Sequence, residues 1–183
     1  MSGRTWVYSD PHFYHQNICH FVNFDGTKVR PWDDAVKMTN DMIDMYNEVV
    51  DDGDRVYILG DVAFSKAKFR ESVGRLKGRK AFVPGNHDPV KATALYNELG
   101  LDVRGYVVKK GFIMSHIPIH PNCMGRWQVN IHGHLHNNTI KLPLDHGDHL
   151  DEEDTRYYNA CVERHDFKPK LLDDILKEVG LRA

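Results

Sequence analysis

Seven Asp, Asn and His side chains stand at turns that follow apolar runs. They are Asp10 and His12 in Ser-Asp-Pro-His, Asp61 in Leu-Gly-Asp, Asn86 in Pro-Gly-Asn-His-Asp, His116 in Met-Ser-His, and His134 and His136 in His-Gly-His-Leu-His. One metal ion takes three or four such ligands, so seven with one shared carboxylate fit a two-metal centre. Nitrogen and oxygen donors without thiolate select two divalent ions among Mn, Fe, Zn and Ni, with Mn first in vitro, over Ca or a structural zinc. Asp10 and His12, two residues apart on extended backbone, project to one side and bind one ion together. His134 and His136 do the same or divide between neighbouring ions. Asp61 is suited to bridge, because a carboxylate has two oxygens and offsets two dications. Gly60, Gly85 and Gly133 each precede a ligand and let the chain turn tightly there.

Taken singly, these blocks are ordinary. Asp-Pro-His is a common turn, and Asn-His-Asp-Pro reads equally as a helix start with Asp88 as N-cap and Pro89 at the first helical position. Their joint occurrence, each after an apolar run, carries the functional reading.

The elements that must hold them follow from periodicity. Short strands rich in β-branched and aromatic residues are expected at 4–8, 55–59, 80–83, 103–109, 111–114, 128–131 and 157–162. Apolar residues at three- and four-residue steps predict helices at 34–50, at 65–77, after Asp88-Pro89 as far as Gly100, and from near Pro169 to Gly180. Strands alternate with helices first and dominate later, which gives an α/β layered domain with ligand residues gathered at one end of the sheets. The stretches 117–127 and 137–154 read as surface loops, the second strongly acidic.

The length of 183 residues and 41% hydrophobic content suit a single domain over 1–183. No apolar run reaches the roughly 18 residues of a membrane span, and the N-terminus shows no signal-peptide core. We therefore expect a cytoplasmic protein with no membrane partner. Three widely spaced cysteines make a disulfide framework unexpected. A net charge of −2 gives no general handle for long nucleic acids.

The ordered blocks Asp10-Pro11-His12, Gly60-Asp61, Gly85-Asn86-His87-Asp88, His116 and Gly133-His134-Leu135-His136 resemble the calcineurin-like metallophosphoesterase superfamily. The resemblance implies a four-layer α/β/β/α sandwich of two mixed sheets with a dinuclear metal site at the sheet ends. It implies that Asp10, His12, Asp61 and His136 hold one metal, and that Asp61, Asn86, His116 and His134 hold the other. It makes His87 the group that protonates the leaving oxygen and Asp88 its orienting partner. Asp10-Pro-His-Phe-Tyr-His15-Gln-Asn17, Arg30-Pro31-Trp32 and Asn159-Ala-Cys-Val-Glu163 further resemble small, capless bacterial and phage phosphoesterases. Asn159 is then a residue behind the ligands, while His15 and His20 are packing or loop contacts.

The activity so implied is hydrolysis of phosphate esters by a metal-bridging hydroxide. The expected substrates are phosphodiesters, small or nucleotide-like, up to a short oligonucleotide. Arg30 is a candidate phosphate clamp, and Arg126 with Trp127 a candidate base-stacking pair. A phosphomonoesterase or protein phosphatase, or a non-catalytic metal-binding interaction module on the same fold, stands as the alternative.

Overall fold

The computed structural model describes residues 3–89, 91–142 and 152–181. Two mixed sheets and five α-helices make up the described chain. The first sheet joins β1 (Thr5–Tyr8), β2 (Arg55–Ile58), β3 (Arg79–Phe82) and β4 (Asp102–Val103) in parallel, with β9 (Lys170–Leu171) antiparallel to β1. In the second, β6 (Phe112–Ser115), β7 (Val129–His132) and β8 (Tyr157–Asn159) run parallel, and β5 (Val107–Lys109) lies antiparallel against β6.

Strand alternation divides the apolar residues between two cores. From the first sheet, Trp6, Tyr8, Val56, Ile58 and Phe82 face helices α1 (Ala35–Val49), α2 (Lys66–Gly74) and α3 (Thr93–Glu98). Their neighbours Val7, Tyr57, Leu59, Ala81 and Val83 point the other way, into a core shared with Met114, Val129 and Ile131 of the second sheet and with Leu172, Ile175 and Leu176 of α5 (Leu172–Glu178). Helix α1 forms where the three- and four-residue steps predict it, burying Met38, Met42, Ile43 and Tyr46. Asp34 caps it by accepting the Lys37 amide, and Ser65 caps α2 through the Lys68 amide.

The structure redraws some expected boundaries. The run 103–109 is two strands in different sheets, because the Arg104 amide still bonds the Phe82 carbonyl before the chain turns at Gly105 to form a hairpin with β6. Residues 170–171, expected at a helix start, pair with β1 instead. A short helix α4 (Pro121–Met124) interrupts the loop 117–127. Within the expected loop 137–154, residues 140–142 run against 152–154 through the Leu142–Glu152 and Asp154–Ile140 backbone bonds, while 143–151 lie outside the described residues.

What matters for the site is which strand ends meet. Every ligand-bearing turn leaves the C-terminal end of a parallel strand, β1, β2 and β3 in one sheet and β6 and β7 in the other. A parallel bridge between Ser9 and Cys161 joins the segment after β1 to the segment after β8, so the two sheets are tied at that end.

Candidate metal centre

The ligand turns are laced to one another by main-chain bonds. Asp10 N donates to Gly60 O, His12 N to Asp61 O and Phe13 N to Val62 O, which zips the turn after β1 onto the turn after β2. Gly133 N donates to His116 O across the second sheet. Asp10, His12, Asp61, His134 and His136 all adopt positive φ, between 49° and 71°. Asp10 and His12 therefore do not lie on extended backbone as expected; the strand ends before them, and left-handed turns re-aim both side chains. Such conformations cost about 1–3 kcal/mol each and persist only where surrounding bonds impose them. Gly60 has a φ of 88°, and a side chain on Gly133 would strike Ser9 and the Asp10 carboxylate.

Two clusters result, Asp10–His12–His136 and Asp61–His116–His134. Each could hold a metal ion, and Asp61 stands between them. Its Oδ2 lies 3.6 Å from His12 Nε2 and 3.5 Å from His116 Nε2. Those gaps are too long for hydrogen bonds, yet two ligands each about 2.1 Å from one ion lie roughly 3–3.5 Å apart. Unpartnered atoms make the stronger argument. Asp10 Oδ1 and both His12 ring nitrogens are buried without a hydrogen-bond partner, a costly state in a core unless something binds them. Burial and the nearby Arg30 charge hold His12 neutral well below its usual range, so its lone pair is free. His116 bonds the Leu59 carbonyl through Nδ1 at 2.8 Å, which requires the proton there. Its Nε2 lone pair then faces Asn86 Oδ1 at 2.9 Å, two acceptors that a cation would reconcile. The donor set thus fits a pair of divalent metal ions.

Asp88 is not where the resemblance puts it. Its oxygens accept the amides of Asp61, Val62 and Gly85 at 2.8 Å, with Ala63 at 3.4 Å. It is buried, clamps the Asp61 turn to the Asn86 turn, and bonds main chain rather than the His87 ring. Burial pushes its pKa up to about 6 against the pull of the Gly85 and Val62 amides. His87 itself is exposed, its backbone N–H donating to Asp61 Oδ1 at 2.8 Å and its ring beside those of His12 and Phe64.

Arg30 is likewise withdrawn from substrate. It is completely buried behind the first cluster, donating to the Asp10 and Pro11 carbonyls and, through Nε and a terminal nitrogen, to Glu163 Oε1. Glu163 Oε1 in turn accepts the His136 Nδ1 proton at 2.9 Å, which fixes that ring with Nε2 toward the cluster. Burial alone would raise the Glu163 pKa, but the charges of Arg30 and His136 outweigh it and lower it to about 2. Asn159 Nδ2 donates to the His136 and Asn138 carbonyls, and the Cys161 thiol touches Asp10 Oδ2 at 3.3 Å. Sequence reasoning gave Glu163 no role, although the Asn159–Glu163 motif was its signal. Trp127 lines a cleft of about 630 Å³ with Tyr106, Ile117, Ile119, Asn86 and His116. Arg126 lies over the Trp127 ring, 5.9 Å from its centroid, in a separate groove with Val108, Lys109 and Lys110.

No family model matches the chain. It is 32% identical over 182 residues to Uncharacterized protein MJ1445 of Methanocaldococcus jannaschii, covering 95% of this chain and 90% of that one. The chain belongs to the family of that archaeal protein. Among solved structures, the protein of unknown function AQ665 from Aquifex aeolicus superposes with a TM-score of 0.62 at 24% identity, over 96% of this chain and 99% of that one, and so shares the fold. Pseudomonas putida nuclease MPE reaches a TM-score of only 0.46 at 19% identity, over 73% of this chain and 62% of that one.

Two outcomes test this geometry. An Asp88→Asn side chain must aim N–H groups at amides that the carboxylate now accepts. The variant is expected to lose about 1–3 kcal/mol in urea denaturation, with weaker Mn binding by calorimetry because the Asp61 and Asn86 turns separate. For the ion pair, Arg30→Met leaves the buried Glu163 carboxylate without its guanidinium, with the His136 ring still bonded to it, and is expected to cost about 3–5 kcal/mol at neutral pH. Because the folded pKa of Glu163 lies below the unfolded value of 4.5, its share of wild-type stability is present above pH 4.5 and fades as pH falls toward about 2. Chelated Arg30→Met should lack that increment in an acid denaturation series.

Proposed function

We propose that this chain is a metal-dependent phosphoesterase of the calcineurin-like superfamily, with a four-layer α/β/β/α sandwich and a dinuclear centre at the sheet ends. The observation that carries the reading is the placing of Asp61 Oδ2 within 3.6 Å of one cluster and 3.5 Å of the other. In this reading Asp10, His12, His136 and Asp61 hold one ion, and Asp61, Asn86, His116 and His134 hold the second. When bound, the ions supply the positive charge that draws phosphate oxygens and acidifies a water nucleophile.

The protein's own groups do the rest. Asp61 keeps both clusters in register, with Oδ1 anchored on the His87 amide and Oδ2 facing the ligands. Glu163 and Arg30 hold the His136 ring and the Asp10–Pro11 turn from behind, as positioning residues. His87, exposed at the mouth, donates a proton to the leaving oxygen. The cleft with Tyr106, Ile117 and Trp127 adjoins Asn86 and His116, and its apolar walls suit an ester substituent that a monoester lacks. Small or nucleotide-like phosphodiesters are therefore the preferred substrates.

Chelated protein should hydrolyse neither bis-p-nitrophenyl phosphate nor p-nitrophenyl phosphate. Mn is expected to restore turnover, faster on the diester, and Asp61→Asn to lower both metal content and rate. Full activity with no metal found by elemental analysis would refute the reading. His87→Ala should keep its metal content while losing about 10²–10⁴ in rate on substrates with poor leaving groups. The loss should be smaller with nitrophenolate, which departs without a proton; equal losses would make His87 a positioning residue.

A further inference from the structure

Phe64 is a large apolar side chain beside His87 that neither cluster requires. It is 46% exposed, and its backbone is not free to hide it. Val62 and Ala63 before it are buried with their amides bonded to Asp88, and Ser65 after it caps α2. The ring is therefore presented at the mouth of the site by fixed chain on both sides. Three rings stand beside it there: His15 at 4.6 Å, His87 at 4.7 Å and His12 at 5.9 Å between centroids. Phe21, 49% exposed, meets the far side of His15 at 6.1 Å. The turn that carries Phe21 is itself anchored, since Val29 N donates to Phe21 O and Asn137 Nδ2 to Asn23 Oδ1, next to His136.

These rings border the first cluster, through His12. The cleft of Tyr106, Ile117 and Trp127 borders the second, through Asn86 and His116. A phosphate held between the two clusters would send one substituent toward each surface. Of the two, the Phe64 side holds His87, so the oxygen that receives the proton belongs to the substituent lying on these rings.

We propose that Phe64, with His15 and Phe21 beside it, is a stacking surface for the leaving group, and that the preferred leaving group carries a flat aromatic ring, aryl or nucleobase. Every base or arene offers a π-face, so such a surface selects for planarity rather than for a hydrogen-bond pattern. This rests on the phosphoesterase reading and adds to it the chemistry of the departing half.

The test uses two methyl diesters with leaving groups of similar acidity, phenyl methyl phosphate and hexafluoroisopropyl methyl phosphate, on Mn-loaded protein. Phe64→Ala should lose roughly 5- to 150-fold in kcat/KM on the phenyl ester and far less on the fluoroalkyl ester. Phe64→Trp should restore the preference, and Phe64→Leu, apolar but without a ring, should not. Metal content, measured alongside, should match wild type in all three. Equal losses on both esters, or a preference recovered by Leu, would overturn the proposal and reduce Phe64 to a shield over His12 and His87, with the hydrolase itself intact. Failure of the loaded wild type on every ester would overturn the phosphoesterase reading, and this inference with it.

Discussion

Asp10 and Asp61, the carboxylates of the two clusters, each have one oxygen committed to a backbone amide from a distant turn and the other left toward the cluster. Asp61 Oδ1 holds the His87 amide while Oδ2 faces His12 and His116. Asp10 Oδ2 holds the His134 amide while Oδ1 is buried and unpartnered. The same carboxylates that would bind metal thus also staple, through their other oxygens, the turn after β2 to that after β3, and the first sheet to the second. Charge-assisted bonds to backbone amides are short and directional, so main-chain contacts set the geometry of the two clusters.

Behind this layer, two further carboxylates complete the support without facing the mouth. Asp88 gathers the amides on either side of Asp61 and the one before Asn86. Glu163 lies between Arg30 and His136. A buried guanidinium would be costly alone, and so would a buried carboxylate; paired, and with the spare guanidinium protons on the Asp10 and Pro11 carbonyls, they form a rigid back wall. The wall is one-sided. It braces Asp10 and His136, whereas His116 on the other side leans on the Leu59 carbonyl, a neutral acceptor. The two clusters therefore differ in the charge standing behind their imidazoles, although their ligands are of the same kinds.

The front is apolar where the back is charged. Phe64 and Phe21 on one side, and Tyr106 and Ile117 on the other, stand 46–61% exposed around a polar centre. Exposed apolar groups contribute little to folding, and these four border the two clusters, which is the arrangement the proposed substrate surfaces require.

Much of this was legible in the chain before any coordinates. The seven ligand types stand out because each follows an apolar run, and a strand must end where its side chains turn polar. Helices α1 and α2 are local events, settled by apolar spacing; the structure adds that Asp34 and Ser65 cap them. The sheet partners were not legible. The run 103–109 divides between β3 of one sheet and β6 of the other, and 170–171 pairs with β1 from the far end of the chain, because pairing depends on contacts outside the run itself. Arg30 illustrates the limit most sharply. Its guanidinium chemistry suits a phosphate as well as a carboxylate, and only the placing of Glu163, 133 residues along the chain, decides that it binds the latter and lies buried. Asp88 follows the same rule, since an acid beside His87 in sequence bonds amides brought from the Asp61 turn. Residue type and spacing single out the candidate groups; burial and long-range pairing, which no local pattern encodes, decide which of them face the clusters and which hold them in place.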